Sequence, residues 1–430
     1  MFQERTYANI PYKVALLHST RGSSMAAFLV SLVFLASRQA NAVCIVPEEQ
    51  FAELRNASED VRKIIAFFTS GNEKALEEED GRVLRDSAYG HFGTTNKLVL
   101  TFAARFKSRT NVFQEPLAKP ADQSTCLRDV HTEDVLAVRW KRQREVARLV
   151  KPESRRLKIL GLGGSVGTPP GGVTAALSVV RSFDNLQAVS GRIVLYLPEW
   201  KGSTNYASYL LRGTSQAARQ GALACLFRAP EPLTGTALYA GLTGYDKGTP
   251  RIAAAVLTKQ DADLLARMAK RGEEVQVYLK LEPGDPEQVV SRNIVADWIG
   301  TKYPKEYIMV GAHVDSWDIG QGAVDNAAAI FVIWRALSAL KKLQLRPKRT
   351  VRFVVWTAQE QGGVGATEFY RRHAADSWER LVTAWYYHED MRHTEADTVS
   401  GINAADMDLC AAMVAGLLHM VGQMERKLPR

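Results

Sequence analysis

Cysteine is scarce in this sequence: Cys44, Cys126, Cys225 and Cys410 are the only four among 430 residues. They lie far apart with no CxxC spacing, which excludes a zinc knuckle and a disulfide-stapled scaffold. A chain of this length can be held together by its core instead. A membrane span is not expected near the start either. The apolar run Met25–Ala36 (MAAFLVSLVFLA) reaches about 18 Å at ~1.5 Å per residue, against a bilayer core of ~30 Å. The formal charge is +9, yet the basic residues are scattered. No basic stripe interleaved with aromatics appears, which argues against nucleic-acid binding. No internal repeat is visible.

What remains is an ordinary globular composition, 46% apolar and 23% charged, long enough for two or three domains. The first 42 residues read as a secretory leader. Lys13 and Arg21 precede the short apolar run, and Ala40-Asn41-Ala42 has the small-x-small form of a cleavage site. A secreted or lumenal protein is therefore expected. The sequon Asn56-Ala57-Ser58 makes Asn56 a candidate glycosylation site in such a compartment.

Beyond the leader, the 3–4 spacing of Phe51, Leu54, Val61, Ile64, Ile65 and Phe68 predicts a helix within 46–75. The polar, basic stretch 76–150 has no clean period. Residues 157–283 read as a separate unit of short strands, with candidates at Leu157–Leu160, Ile193–Leu197 and Val275–Leu281 and an Ala-rich helix at Ser215–Ala224. From Ile294 the rhythm becomes strand–helix–strand: Tyr307–Val310, helix Ala327–Leu343, then Val351–Trp356. Near-continuous apolar runs of this kind suit parallel strands covered on both faces. A final amphipathic helix is expected over Ala405–Met424, with Leu409, Met413, Leu417 and Met420 as its core stripe.

One glycine-rich segment imitates a catalytic motif. Gly163-Gly164-Ser165-Val166-Gly167 fits G-x-S-x-G, but that elbow must turn directly into a helix. Pro169 and Pro170 fall in its first turns and forbid one. The segment does not fit G-x-G-x-x-G either, so it reads as a tight turn and supports no nucleotide site.

The chemistry concentrates between His313 and Thr398. His313-Val314-Asp315 follows one apolar strand, Gln359-Glu360 follows the next, Asp325 lies in a small-residue loop opening a helix, and His393 comes last. Loops at the carboxyl ends of strands are where open α/β sheets build their sites. Two imidazoles and two carboxylates form an N/O ligand set that zinc accepts. An aspartate can bridge two ions that clamp an attacking water and a substrate carbonyl. Asp315, two residues from His313, is expected to accept from its other ring nitrogen. Separately, Asp325 could be a helix cap and Glu360 a surface carboxylate; their order and spacing favour the site.

The segments Gly311–Asp325 (GAHVDSWDIGQGAVD), Leu345–Thr350, Trp356–Ala366 (WTAQEQGGVGA), Ile159–Pro170 and Leu428–Arg430 resemble the co-catalytic zinc exopeptidase family of amino- and carboxypeptidases. The likeness covers most of 130–380 and the final segment. It implies an α/β fold: a mixed central sheet flanked by helices, with an inserted β-rich protease-associated-type domain at 157–285. The remaining divisions would be a signal peptide at 1–42, an N-terminal part of the peptidase domain at 43–156, and the zinc peptidase domain at 286–430. It further implies two Zn2+ ions, a peptide or dipeptide substrate, a homodimer, and a secreted or lysosomal location. Carried over by position, His313, Glu360 and His393 would be metal ligands and Asp325 the bridge. Gln359 stands where the family has its general base, a glutamate. The family's remaining Asp ligand lies on a segment missing after Ala384, with Glu389 and Asp390 nearby. The sequence therefore supports two readings: a metallo-exopeptidase, or a catalytically inactive peptidase-fold protein acting by binding or dimerisation.

Overall fold

The computed structural model of the chain describes residues 58–69, 127–231, 233–373, 378–383 and 391–425. The leader, Asn56, Cys44, Cys126 and the segment holding Glu389 and Asp390 lie outside the described residues. Of the helix expected within 46–75, Ser58–Thr69 (α1) is described.

Two sheets organise the rest. The first has five strands in the order β1 (Arg128–Arg139), β10 (Glu287–Trp298), β12 (Arg349–Trp356), β11 (Tyr303–His313) and β13 (Trp378–Thr383). β11 pairs in parallel with both β12 and β13, while β10 runs antiparallel to β1 and β12, so the sheet is mixed. All eight residues of β12 are buried. Its apolar run is continuous because both of its faces are covered. On one face Val351, Phe353 and Val355 meet helix α4 (Ala328–Lys342) and helix α6 (Ala404–Gln423). On the other, Val354 and Trp356 meet Phe369 of α5 (Val364–Arg372). Among the described residues, the stretch Ala323–Lys342 alone is apolar and long enough to cross a membrane, but it is 83% buried. It is the central helix of this core.

The second sheet has eight strands in the order β3 (Arg155–Leu157), β2 (Arg144–Lys151), β9 (Gln276–Glu282), β5 (Val173–Val180), β6 (Ile193–Tyr196), β7 (Ala224–Arg228), β8 (Ala253–Leu257) and β4 (Ile159–Gly161). β5 to β8 are parallel. Side chains alternate along β6. Ile193 and Leu195 pack with Leu265 of α3 (Lys259–Lys270), and Val194 and Tyr196 pack with Leu210 of α2 (Ser203–Arg219).

Two expectations shift, and the reading of Gly163–Gly167 as a turn with no helix after it holds. The helix expected at Ser215–Ala224 is the end of α2, which stops at Arg219, while Ala224 already begins β7. Ala217 and Ala218 are helical and buried, whereas Ala222 and Ala224 are buried in the connection and strand that follow, where small size serves close packing. The stripe of α6 is Met407, Ala411, Val414, Ala415 and Leu418, because a helix apolar on most sides carries several 3–4 periods at once. Ser165 is a structural residue: its Oγ donates to Val166 O and accepts from Ala254 N at 2.9 Å each, with no helix following.

Candidate metal centre

β11 ends at His313, which lies in register with Trp356 at the end of β12. The loops leaving these two adjacent parallel strands therefore start side by side. Asp315 ties them together. Its Oδ1 accepts the amide of Gln359 and its Oδ2 the amide of Glu360, each at 3.0 Å. Both carboxylate oxygens are spent on the backbone, so Asp315 fixes where Glu360 emerges. The expected contact to the His313 ring is made differently. His313 Nδ1 donates to the main-chain carbonyl of Asp315 at 2.9 Å, whereas the nearer carboxylate oxygen is 3.7 Å away. That bond turns Nε2 toward the site, where, when protonated, it donates to Asp325 Oδ1 at 3.1 Å.

Asp325 reaches the same point from a loop that turns at Gly322. With φ +68° that position suits glycine, and an added Cβ would strike Ser316. The peptide bond between Asp325 and Asn326 is cis. Asp325 Oδ1 lies 3.1 Å from His313 Nε2, and Glu360 Oε1 lies 3.9 Å from the same nitrogen. His313, Asp325 and Glu360 thus offer one ligand atom each, all within 4.8 Å of one another. All three are buried, with 3%, 6% and 8% exposure.

His393 closes the opposite side. Its Nε2 stands 3.2 Å from both Asp325 Oδ2 and Glu360 Oε2, yet has no hydrogen-bond partner. Its ring lies 5.1 Å from Tyr239 and 5.8 Å from Trp317. Next to it, Arg392 Nε donates to Asp325 Oδ2 at 2.6 Å.

The electrostatics follow. Burial alone would lower the His313 pKa, but the carboxylates of Asp315 and Asp325 outweigh it and hold it well above the ordinary value. His393 behaves likewise: burial lowers it, Glu360 raises it, and the net is upward. Burial would raise Asp325, but Arg392 and the two imidazoles hold it well below the usual carboxylate range. Two adjacent buried carboxylates are costly without compensating cations. The imidazole nitrogen, the two carboxylates and the unpartnered His393 Nε2 are a donor set that could hold a divalent metal.

All four candidate ligands, His313, Asp325, Glu360 and His393, come together with Asp315. Gln359 is half-buried beside them, and its side-chain amide lies over Gly363. Sequence reasoning passed over Asp397 and Arg392. Asp397 Oδ1 accepts Val324 N at 2.6 Å and Oδ2 accepts Asp325 N at 3.2 Å, so it pins the loop carrying Asp325. Burial pushes its pKa up to about 6. Asp397 stands four positions after His393 and Arg392 immediately before it; that proximity was the available signal.

Residues 293–426 match Peptidase family M28. The chain is 43% identical to carboxypeptidase Q of Bos taurus over 255 residues, 58% of this chain and 54% of that protein. It is 42% identical to carboxypeptidase Q of Homo sapiens, with the same coverage of each. It therefore spans about half the length of the curated relatives it matches. Among solved structures, it resembles a peptidase M28 precursor from Shewanella amazonensis SB2B with a TM-score of 0.72 at 21% identity, over 89% of this chain and 99% of that one. An aminopeptidase from Aneurinibacillus sp. strain AM-1 follows at 0.56 and 16%, over 81% and 94%. At these identities the structural likeness establishes the fold: an α/β architecture of mixed sheet flanked by helices.

Proposed function

We propose, from the premise that residues 293–426 belong to peptidase family M28, that the chain is built as a zinc-dependent exopeptidase acting on dipeptides or short peptides. The observation that carries this reading is the buried triad His313, Asp325 and Glu360, gathered where the loops leave two adjacent parallel strands. A zinc ion there would supply a Lewis acid that polarises a scissile carbonyl and acidifies water. The chain's own residues set the stage for it. Asp315 aims Glu360 through two amides, Asp397 fixes the loop of Asp325, and the Asp315 carbonyl orients the His313 ring.

Gln359 supports a second reading, a peptidase fold that binds without turning over. Its amide donates and accepts hydrogen bonds but takes no proton from water. General acid–base assistance contributes ~10²–10⁴-fold, so this chain is expected to hydrolyse peptides slowly at best. The secretory or lysosomal destination, the homodimer and the division at 157–285 belong to the same proposal, as does glycosylation at Asn56.

Dipeptide hydrolysis by the purified chain decides between the readings. Chelator-sensitive turnover that rises steeply in Gln359→Glu supports the enzyme. Undetectable turnover in both proteins, with the metal bound, would leave the binding reading.

A further inference from the structure

The two oxygens of Asp325 face different partners. Oδ1 lies 3.1 Å from His313 Nε2, within the triad shared with Glu360. Oδ2 accepts from Arg392 Nε at 2.6 Å and lies 3.2 Å from His393 Nε2. An aspartate that bridges two ions must offer an oxygen to each. Here the second oxygen is engaged by a guanidinium, which does not deprotonate in proteins.

We propose that Arg392 stands at Asp325 Oδ2 as a fixed cation in place of a second metal, so that the chain binds one ion, at His313, Asp325 and Glu360. This rests on the metal site proposed above and adds its stoichiometry and the residue that sets it.

Among the described residues, those around Oδ2 do not fit a second ion. Such an ion would draw on Asp325 Oδ2, His393 Nε2 and Glu360 Oε2, and it would have to displace Arg392 or sit against its charge. Burial would weaken the Arg392 charge, but Asp325 and Glu360 more than restore it and raise its pKa. The pair is well sheltered, with the Arg392 side chain 23% exposed and that of Asp325 5%. Screening by solvent is correspondingly small. The guanidinium also neutralises the carboxylate excess that would otherwise attract another cation. His393 then acts as a positioning residue, aligning the carboxylates of Asp325 and Glu360 from their outer side.

Metal analysis of the full-length chain, equilibrated with buffered Zn2+ and freed of loose ions, tests this. One equivalent is expected for the wild type, one for Arg392→Lys, and two for Arg392→Ala, which uncovers Oδ2. Two equivalents in the wild type, or one in an Arg392→Ala protein with native circular dichroism, would overturn the proposal. None in the wild type would instead overturn the metal site itself. A measurement free of variants is the electron paramagnetic resonance of the Mn2+-loaded wild type. An isolated six-line signal is expected, and an exchange-coupled pair would contradict the single ion.

Discussion

His393 and Ala240 are joined at two points: the His393 ring donates from Nδ1 to the Ala240 carbonyl at 3.0 Å, and the Ala240 amide donates to the His393 carbonyl at 2.7 Å. Ala240 lies between β7 and β8 of the second sheet, so that unit reaches the candidate metal centre through the main chain. The pairing also holds His393 at φ +61°, a conformation that costs of order 1–3 kcal/mol for a residue other than glycine.

Ala240→Pro removes that amide while leaving the strands intact. Metal affinity is expected to fall ~10–100-fold, the usual effect of losing an outer partner of a ligand set. Competition against a chromophoric chelator reads it. Unchanged affinity would mean that the second sheet plays no part in the site.

Asp315→Asn probes the opposite side. One of the amides of Gln359 and Glu360 would then meet an NH2 group in place of an oxygen, and Glu360 would lose its aim. The same ~10–100-fold loss of metal affinity is expected, with far-ultraviolet circular dichroism preserved. Wild-type affinity in this variant would show that Glu360 is oriented by something else.

Gly365 tests the scaffold beneath Glu360. A Cβ there would lie 2.2 Å from Thr357 O and 2.6 Å from Asn293 Oδ1. Asn293 bonds both Gly365 O and Thr357 N, tying β10 to the loop that carries Gln359 and Glu360. Gly365→Ala is expected to cost about 1–3 kcal/mol, as overpacking does. Urea denaturation with an unchanged midpoint would contradict that close approach.

A pH-dependent contribution lies away from the site. Glu425 accepts from Lys302, Lys348 and Tyr303, and these hold its pKa down to about 2, below the ordinary 4.5. A carboxyl depressed by folding stabilises above its unfolded pKa and loses that contribution as pH falls through the folded one. The melting-temperature advantage of wild type over Glu425→Gln should be present near neutrality and shrink from pH 4.5 toward 2. It should also shrink with added salt, because the group is exposed. A difference that is constant across this range would refute the assignment.

The legible parts of this chain were those where burial on both faces left an unbroken apolar run. β11, α4 and β12 stood out for that reason, and with them the strand-end positions of His313 and Glu360. The arm of β1 and β2 was not legible. Along β1, Val135 and Ala137 are buried while Leu136 and Val138 are exposed, so apolar residues on both sides blur the alternation of an edge strand. β7 and β8 were missed because short runs such as ACLFR and AAAVL suit helix and strand alike. The ligand types could be listed from spacing, and of their supports Asp315 was legible two residues from His313, though not through the bonds it makes. Ala240 acts through its backbone and lies 153 positions from His393, and no side-chain pattern records such a contact.

The decisive measurement is anomalous diffraction at the zinc edge, from crystals of the chain grown with Zn2+. A peak bonded to His313 Nε2, Asp325 and Glu360 at ~2.0–2.2 Å is expected, with the Arg392 guanidinium still against Asp325 Oδ2. No peak among those three side chains, in crystals that take up zinc elsewhere, would contradict it.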